Sequence, residues 1–286
     1  PIDLVGPFPS GAPAIFIDQM AKQGRPCVIV SCVGDDDFGR LNLERLARDG
    51  VDISAVRIHP DAVTGSAFVR YRPDGQRDFV FNIVHSANGH IGLTDAARAA
   101  IDVAAHLHVV GSSLSTPAII ETVMFALDAI KRRGGTLSFD PNIRKEMLGA
   151  PGLRDALAQV LARTDLFLPS GPEVLLFSAT QDETAAMREI LSRGVSAIVL
   201  KQGDAGARYM DAETDLSLPA FSVAEIDPTG AGDAFGATFV AGWLDGLAPA
   251  DNLRRANAAG ALAVGRKGPM EGTSTKAEIA RFLAAH

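Results

Sequence analysis

Asp227-Pro228-Thr229-Gly230-Ala231-Gly232-Asp233-Ala234-Phe235 joins two kinds of sequence. Residues 218–226 before it read as extended chain, and residues 234–247 after it form an apolar helical run. Glycines at a helix start let the backbone come close to a ligand. The unpaired N–H groups of a first helical turn, backed by the helix dipole, bind anions. Asp233 falls in that turn, where a carboxylate is stabilised in the ionised form that accepts a proton. A tight glycine turn capped by an Asp would explain a lone Gly-x-Gly. Nine consecutive residues with an acid at each end of the glycine stretch are more specific than that. The phosphate-binding pattern G-x-x-x-x-G-K-[ST] does not occur in the chain.

Working outward, apolar runs at 28–30, 107–110, 137–139, 166–168 and 197–200 each end at a turn. They are continuous rather than alternating, as expected of strands covered on both faces. Helical patterns lie between them at 117–133, opened by Ser115-Thr116-Pro117, and at 153–163 and 184–193. This alternation predicts an α/β fold with a mostly parallel sheet and helices on both faces. One region breaks the rhythm. Residues 66–71 and 78–84 read as strands separated by Pro73-Asp74-Gly75, a β-hairpin that suits a flap over a site.

The chain has 286 residues, 47% of them hydrophobic and 21% charged, ordinary for a soluble globular protein. Its net charge is −7, with 27 Lys and Arg against 34 Asp and Glu, and no basic stripe suggests nucleic acid. Lys131-Arg132-Arg133 reads as the last turn of a helix, where cations complement the dipole. Cys27 and Cys32 would lie on opposite faces of one strand, which argues against a disulfide and for a reducing compartment. No apolar run reaches spanning length, so no membrane partner and a cytoplasmic location are expected. The opening Pro1-Ile2-Asp3-Leu4-Val5 reads as a strand tail, so a missing N-terminal piece is expected. His106 and His108 alternate on one strand face and lack any metal-ligand context.

The nine residues resemble the C-terminal signature of the PfkB, ribokinase-like carbohydrate kinases. Other segments follow that family's order along essentially the whole chain: Gly34-Asp35-Asp36-Asp37-Phe38-Gly39, Thr64-Gly65 before the hairpin, Asp140-Pro141-Asn142-Ile143-Arg144, Lys201-Gln202-Gly203-Asp204-Ala205-Gly206, and 257–268. The Asp-Pro-Asn-x-Arg segment resembles the fructokinase, tagatose kinase and 2-keto-3-deoxygluconate kinase branches. Two positions depart from the pattern. Ile15 stands where the family's G-A-P-A-N has its sugar-contacting Asn, and Ser170 replaces the Asn of N-x-x-E.

The resemblance implies a core of residues 14–60 and 85–286 and a β lid of 1–13 and 61–84. It implies transfer of the γ-phosphoryl group of ATP to the terminal hydroxyl of a ketohexose or keto sugar acid, with nucleoside phosphorylation or silent sugar sensing as the rival functions. Asp233 would be the base, and the N–H groups of Gly230, Ala231, Gly232 and Asp233 the phosphoryl cradle. Lys201, Gly203, Gly206, Asn257 and Gly232 would bind ATP; for Lys201 a solvated loop charge is the competing reading. Asp3, Gly11, Asn82, Arg144 and Asp233 would bind sugar. Asn142 and Arg144 would meet phosphate or an acidic sugar substituent, against an ordinary turn and a surface Arg. Glu173 would act on Mg2+ through water, against the reading of a helix-start Glu. Asp227 is either part of a monovalent cation (K+) loop or a turn-stabilising Asx residue. Arg70 and Arg72 keep a sugar-phosphate acceptor open, and the lid would pair two copies of the chain.

Overall fold

The computed structural model describes residues 5–71, 77–83, 85–143 and 152–286. Six strands form the central sheet in the order β10-β9-β8-β7-β6-β5. They are β5 (His106–Val110), β6 (Thr136–Asp140), β7 (Leu166–Phe167), β8 (Ala197–Lys201), β9 (Ala207–Asp211) and β10 (Asp215–Leu218). β5 to β8 run parallel, while β9 and β10 return antiparallel at one edge. The sheet is therefore mixed, because the short 202–206 and 212–214 connections allow only reversal of direction.

Alternation along the parallel strands sends the two sets of side chains to two helical layers. Leu137, Phe139, Phe167, Ile198 and Leu200 pack against α4 (Pro117–Arg132), α5 (Leu153–Leu161) and α6 (Glu183–Ser192). Leu166, Leu168, Ala197 and Val199 pack against α1 (Ala12–Lys22), α7 (Ala231–Leu244) and α8 (Pro249–Val264). Every residue of α7 from Asp233 to Gly242 is buried, which explains its lack of a polar face. Its small residues admit α8 closely: a Cβ at Gly242 would lie 2.0 Å from the Asn252 side-chain oxygen.

Two small sheets stand apart from the central one. β1 (Ser31–Gly34) and β2 (Val56–His59) pair in parallel, with α2 (Asp37–Arg48) between them in sequence. The strand expected at 28–30 begins later, at Ser31; Val28 makes only an isolated bridge to Asp52. β3 (Ser66–Tyr71) and β4 (Arg77–Asn82) form the expected antiparallel hairpin, and residues 73–75 of its turn lie outside the described residues. α3 (Asp95–Val103) and α9 (Lys276–Ala285) complete the elements. Among the described residues, no helix is long and apolar enough to cross a membrane. Cys27 and Cys32 are unbonded, and Cys32 is buried.

A polar network joins the two ends of the fold. Arg45 of α2 is buried and donates to the Met270 carbonyl at 2.5 Å and to Asp49 Oδ2 at 2.7 Å. Thr273 Oγ1 donates to Asp18 Oδ2 at 2.6 Å, and Gln19 exchanges hydrogen bonds with Ser274. The segment 270–274 is thereby fixed against α1 and α2.

Candidate active site

α7 begins earlier than residue 234. Its N-cap is Gly230, at φ 86°, so Ala231, Gly232 and Asp233 form its first turn. That left-handed φ is open to glycine at little cost. A Cβ there would also come within 2.3 Å of the Pro269 carbonyl and 3.3 Å of Ile15 Cδ1. Ile15 is thus a core residue, packed with Leu46, Val51 and Met270, and its apolar side chain seals the underside of the glycine turn. Gly11 caps α1 at φ 109° and accepts the Ile15 N–H, so α1 and α7 start side by side. Asp227 settles as an Asx turn: Oδ1 accepts the Thr229 N–H at 3.0 Å, and Oδ2 accepts the Gly268 N–H at 3.1 Å. This ties the glycine turn to the loop after α8.

Strand ends supply the other side of the site. Asp140 ends β6 and Lys201 ends β8; both are buried, and Lys201 Nζ donates to Asp140 Oδ2. Lys201 is therefore no solvated loop charge, because the strand carries it inward beside the turn of α7. A Cβ on Gly232 would lie 3.9 Å from its Nζ. Asp140 Oδ1 also accepts the Asn142 N–H at 3.2 Å, across Pro141. Asn142 has φ 43°, a left-handed conformation that Asn tolerates better than most residues. Its Nδ2 reaches Asp233 Oδ1 at 3.5 Å, which places the Asp-Pro-Asn segment against the buried Asp233.

Glu173 lies in a 3-10 turn, Gly171–Phe177, and both of its oxygens are engaged. Oε2 accepts the Ser170 N–H at 2.7 Å and Oε1 the Ile143 N–H at 2.6 Å. Burial, then the neighbouring Asp140, pushes its carboxyl above the usual range, and Lys201 opposes the shift. Glu173 is thus a helix-start acid, as one reading held, and it also belongs to the Asp140–Lys201 cluster. Among the described residues no group of three His, Cys, Asp or Glu side chains could cage a metal.

The Gly203–Gly206 loop follows Lys201 directly. Gly203 is exposed at φ 60°, and Gly206 at φ 101° faces the Leu218 carbonyl, 2.1 Å from where a Cβ would stand. Asn257 of α8 donates to the Pro219 carbonyl at 3.0 Å and so holds the same segment in place. One turn on, Gly260 packs against the Ala231 carbonyl. Asn82 is exposed at the end of β4, opposite Ser66, and no described contact brings it to the cluster. Asp3, Arg72 and Arg144 lie outside the described residues. The partnership of Asp140 with Lys201 escaped the sequence reading. A signal existed: each is the single charged residue closing an otherwise uncharged strand.

The same face of β5 and β6 carries a polar string below the site. His106 bridges Thr136 Oγ1 at 2.7 Å and Ser138 Oγ at 2.8 Å, and His108 meets Ser138 Oγ at 2.8 Å. Phe16 of α1 stacks on His108 with centroids 3.4 Å apart. Burial pushes His106 down to about 4 and His108 well below its ordinary value, so both rings are neutral near pH 7. His108 Nε2 is buried without a hydrogen-bond partner.

Comparison with known proteins converges on one assignment. Residues 8–276 match the family described as pfkB family carbohydrate kinase. The chain is 35% identical to a fructokinase of Klebsiella pneumoniae, covering 96% of this chain and 92% of that one. It is 33% identical to a 2-dehydro-3-deoxygluconokinase of Thermoproteus tenax, covering 96% and 85%. An E. coli protein provisionally named ribokinase II, solved with ATP and Mg2+, is 46% identical, covers 100% of this chain and 92% of its own, and superposes with a TM-score of 0.94.

Proposed function

The chain belongs to the pfkB family of carbohydrate kinases, and from that premise we propose that it transfers the γ-phosphoryl group of ATP to the terminal hydroxyl of a ketohexose or keto sugar acid. The observation that carries this reading is the meeting of Asp233 with Asn142 at the start of α7, where Lys201 stands beside Gly232. A proton acceptor and a positively polarised pocket are adjacent there. In phosphoryl transfer, positioning and charge stabilisation supply most of the catalysis.

In this reading Asp233 takes the proton of the sugar hydroxyl as its oxygen attacks the γ-phosphorus. The N–H groups of Gly230, Ala231, Gly232 and Asp233 hold the phosphoryl oxygens. Lys201, the exposed Gly203–Gly206 loop and Asn257 hold the nucleotide, Asn257 by fixing the 218–219 segment that Gly206 packs on. Gly11, Asn82, Asp3 and Arg144 bind the sugar. The half-buried Glu173 and Asp140 suit an ion that keeps most of its water and phosphate ligands, as Mg2+ does. Mg2+ supplies charge neutralisation at the phosphates. The loop tied by Asp227 is where K+ would act, on the strength of its buried carboxylate beside the Pro269 carbonyl turn.

Residues 1–13 and 61–84 act as the lid on the 14–60 and 85–286 core. Phe68 is 54% exposed and Val80 67%, directly opposite each other on the hairpin, and a second copy of the chain would cover them. The decisive experiment is ATP turnover against fructose, tagatose, 2-keto-3-deoxygluconate and nucleosides. Phosphorylation of a keto sugar or keto acid is expected. Binding without turnover of every ligand, or turnover of nucleosides alone, overturns the reading.

A further inference from the structure

The geometry points to Asp140 as a positioning residue that aims Lys201 at the start of α7 and, through Asn142, orients Asp233. The inference rests on the kinase reading above. It concerns a residue to which the sequence resemblance gave no separate role.

The carboxylate of Asp140 is buried and has two different partners. Oδ2 accepts the Lys201 ammonium, and Oδ1 accepts the Asn142 N–H. β6 and β8 are not neighbours, because β7 lies between them. The pair therefore spans two inter-strand steps, about 10 Å of backbone separation. It can do so because β7 ends at Phe167, two residues into its pairing, and leaves the space above it open. Burying an ion pair seldom adds net stability, since desolvation offsets the attraction. Stability alone does not account for this one.

The placement of Lys201 is equally specific. A helix N-terminus carries partial positive charge and favours anions. Lys201 Nζ stands beside Gly232, in the first turn of α7, so two like-signed groups converge on one point. An anionic phosphoryl group between them resolves that conflict, and Asp140 holds the ammonium in place for it. On its other arm, Asp140 closes the turn across Pro141 and keeps Asn142 at φ 43°. That conformation directs the carboxamide toward Asp233, donating to the carboxylate form that must accept the proton. One side chain thus couples the anion pocket to the base.

The test is a double-substitution cycle with Asp140→Asn, Lys201→Met and both together, in the full chain. Asp140→Asn keeps an oxygen for the Asn142 N–H and removes the charge facing Lys201; the double variant leaves no unpaired buried charge. Each single variant should lower kcat about a hundredfold, as loss of one transition-state donor does, with the sugar KM changed by less than about threefold. The double variant should fall no further than about threefold below the worse single one, because the pair acts as a unit. Independent losses that multiply, or Asp140→Asn turnover within about threefold of the unmodified chain, overturn the inference. If the unmodified chain turns over no sugar, the kinase reading fails by itself. The same cycle is then read in ATP affinity by calorimetry: a coupling of about fivefold or more sustains the role of Asp140, and additive effects overturn it.

Discussion

The two faces of β5, β6 and β8 come from alternate residues of the same short strands, yet they are built for different purposes. One face presents Val109, Leu137, Phe139, Ile198 and Leu200 to α4, α5 and α6, and is apolar throughout. The other presents His106, His108, Thr136, Ser138, Asp140 and Lys201 toward α1 and α7, and grows more charged toward the strand ends. The difference shows how a parallel sheet separates its duties. The dry face holds the strands at fixed spacing, and that spacing lets the polar face place two charges to atomic accuracy at the carboxyl ends, where open α/β sheets bind ligands.

The comparison breaks hardest at the site. Asp233→Ala should lower sugar phosphorylation by about a thousandfold or more while thermal unfolding stays cooperative. Near-normal turnover would show that the polar face leads to no base. On the dry face, Phe139→Ala should cost about 4 kcal/mol in denaturant unfolding, because the ring is fully buried between Phe167 and Phe177. The site chemistry of whatever fraction remains folded should be unchanged, and a selective loss of kcat would blur the division.

Acid should act on the polar face alone. The folded pKa of His106 is about 4 and its ordinary value 6.5, so between them the unfolded chain binds more protons. Stability is then full above about pH 6.5 and is lost as pH falls toward about 4, by about 3 kcal/mol for this ring. Asp18, pushed up to about 6 mainly by burial, has the opposite sign between its ordinary value and about 6. The histidine part is therefore read as the difference between unmodified protein and His106→Gln over pH 4 to 8, and an unchanged pH slope would refute it. The smallest effect is at Thr136→Val, which removes one partner of His106 and should cost about 1 kcal/mol at pH 8 with no change in turnover.

Much of this was legible in the sequence, and the limits have physical causes. The glycine turn and Asp233 could be read because helix-start chemistry is local, confined to residues 227–235. The hairpin could be read from its two alternating runs. The strand expected at 28–30 slid to 31–34 because a short apolar run does not mark where pairing starts. The antiparallel edge was missed for a different reason: 207–218 carries charges on β9 and β10 and does not look like a core strand. Two competing readings of Asp227 and Lys201 were decided only by partners distant in sequence. Gly268 is 41 residues from Asp227, and Asp140 is 61 residues from Lys201. No local pattern encodes such pairings. Ile15 had seemed a lost sugar contact, whereas its side chain turns inward and seals the glycine turn.

The network that fastens 270–274 to α1 and α2 has a consequence in time. Gln19 and Ser274 meet across 255 residues, and Arg45 and Met270 across 225. Contacts so distant cannot form until the chain between them has been made, and they close large loops at high entropic cost. Gly230 leans on Pro269 in that same segment, and Asp227 is held by Gly268. A nascent chain can therefore assemble the sheet well before the glycine turn has its final support. Phosphoryl-transfer competence would be acquired last, when synthesis is nearly finished, and half-made chains would not bind nucleotide productively.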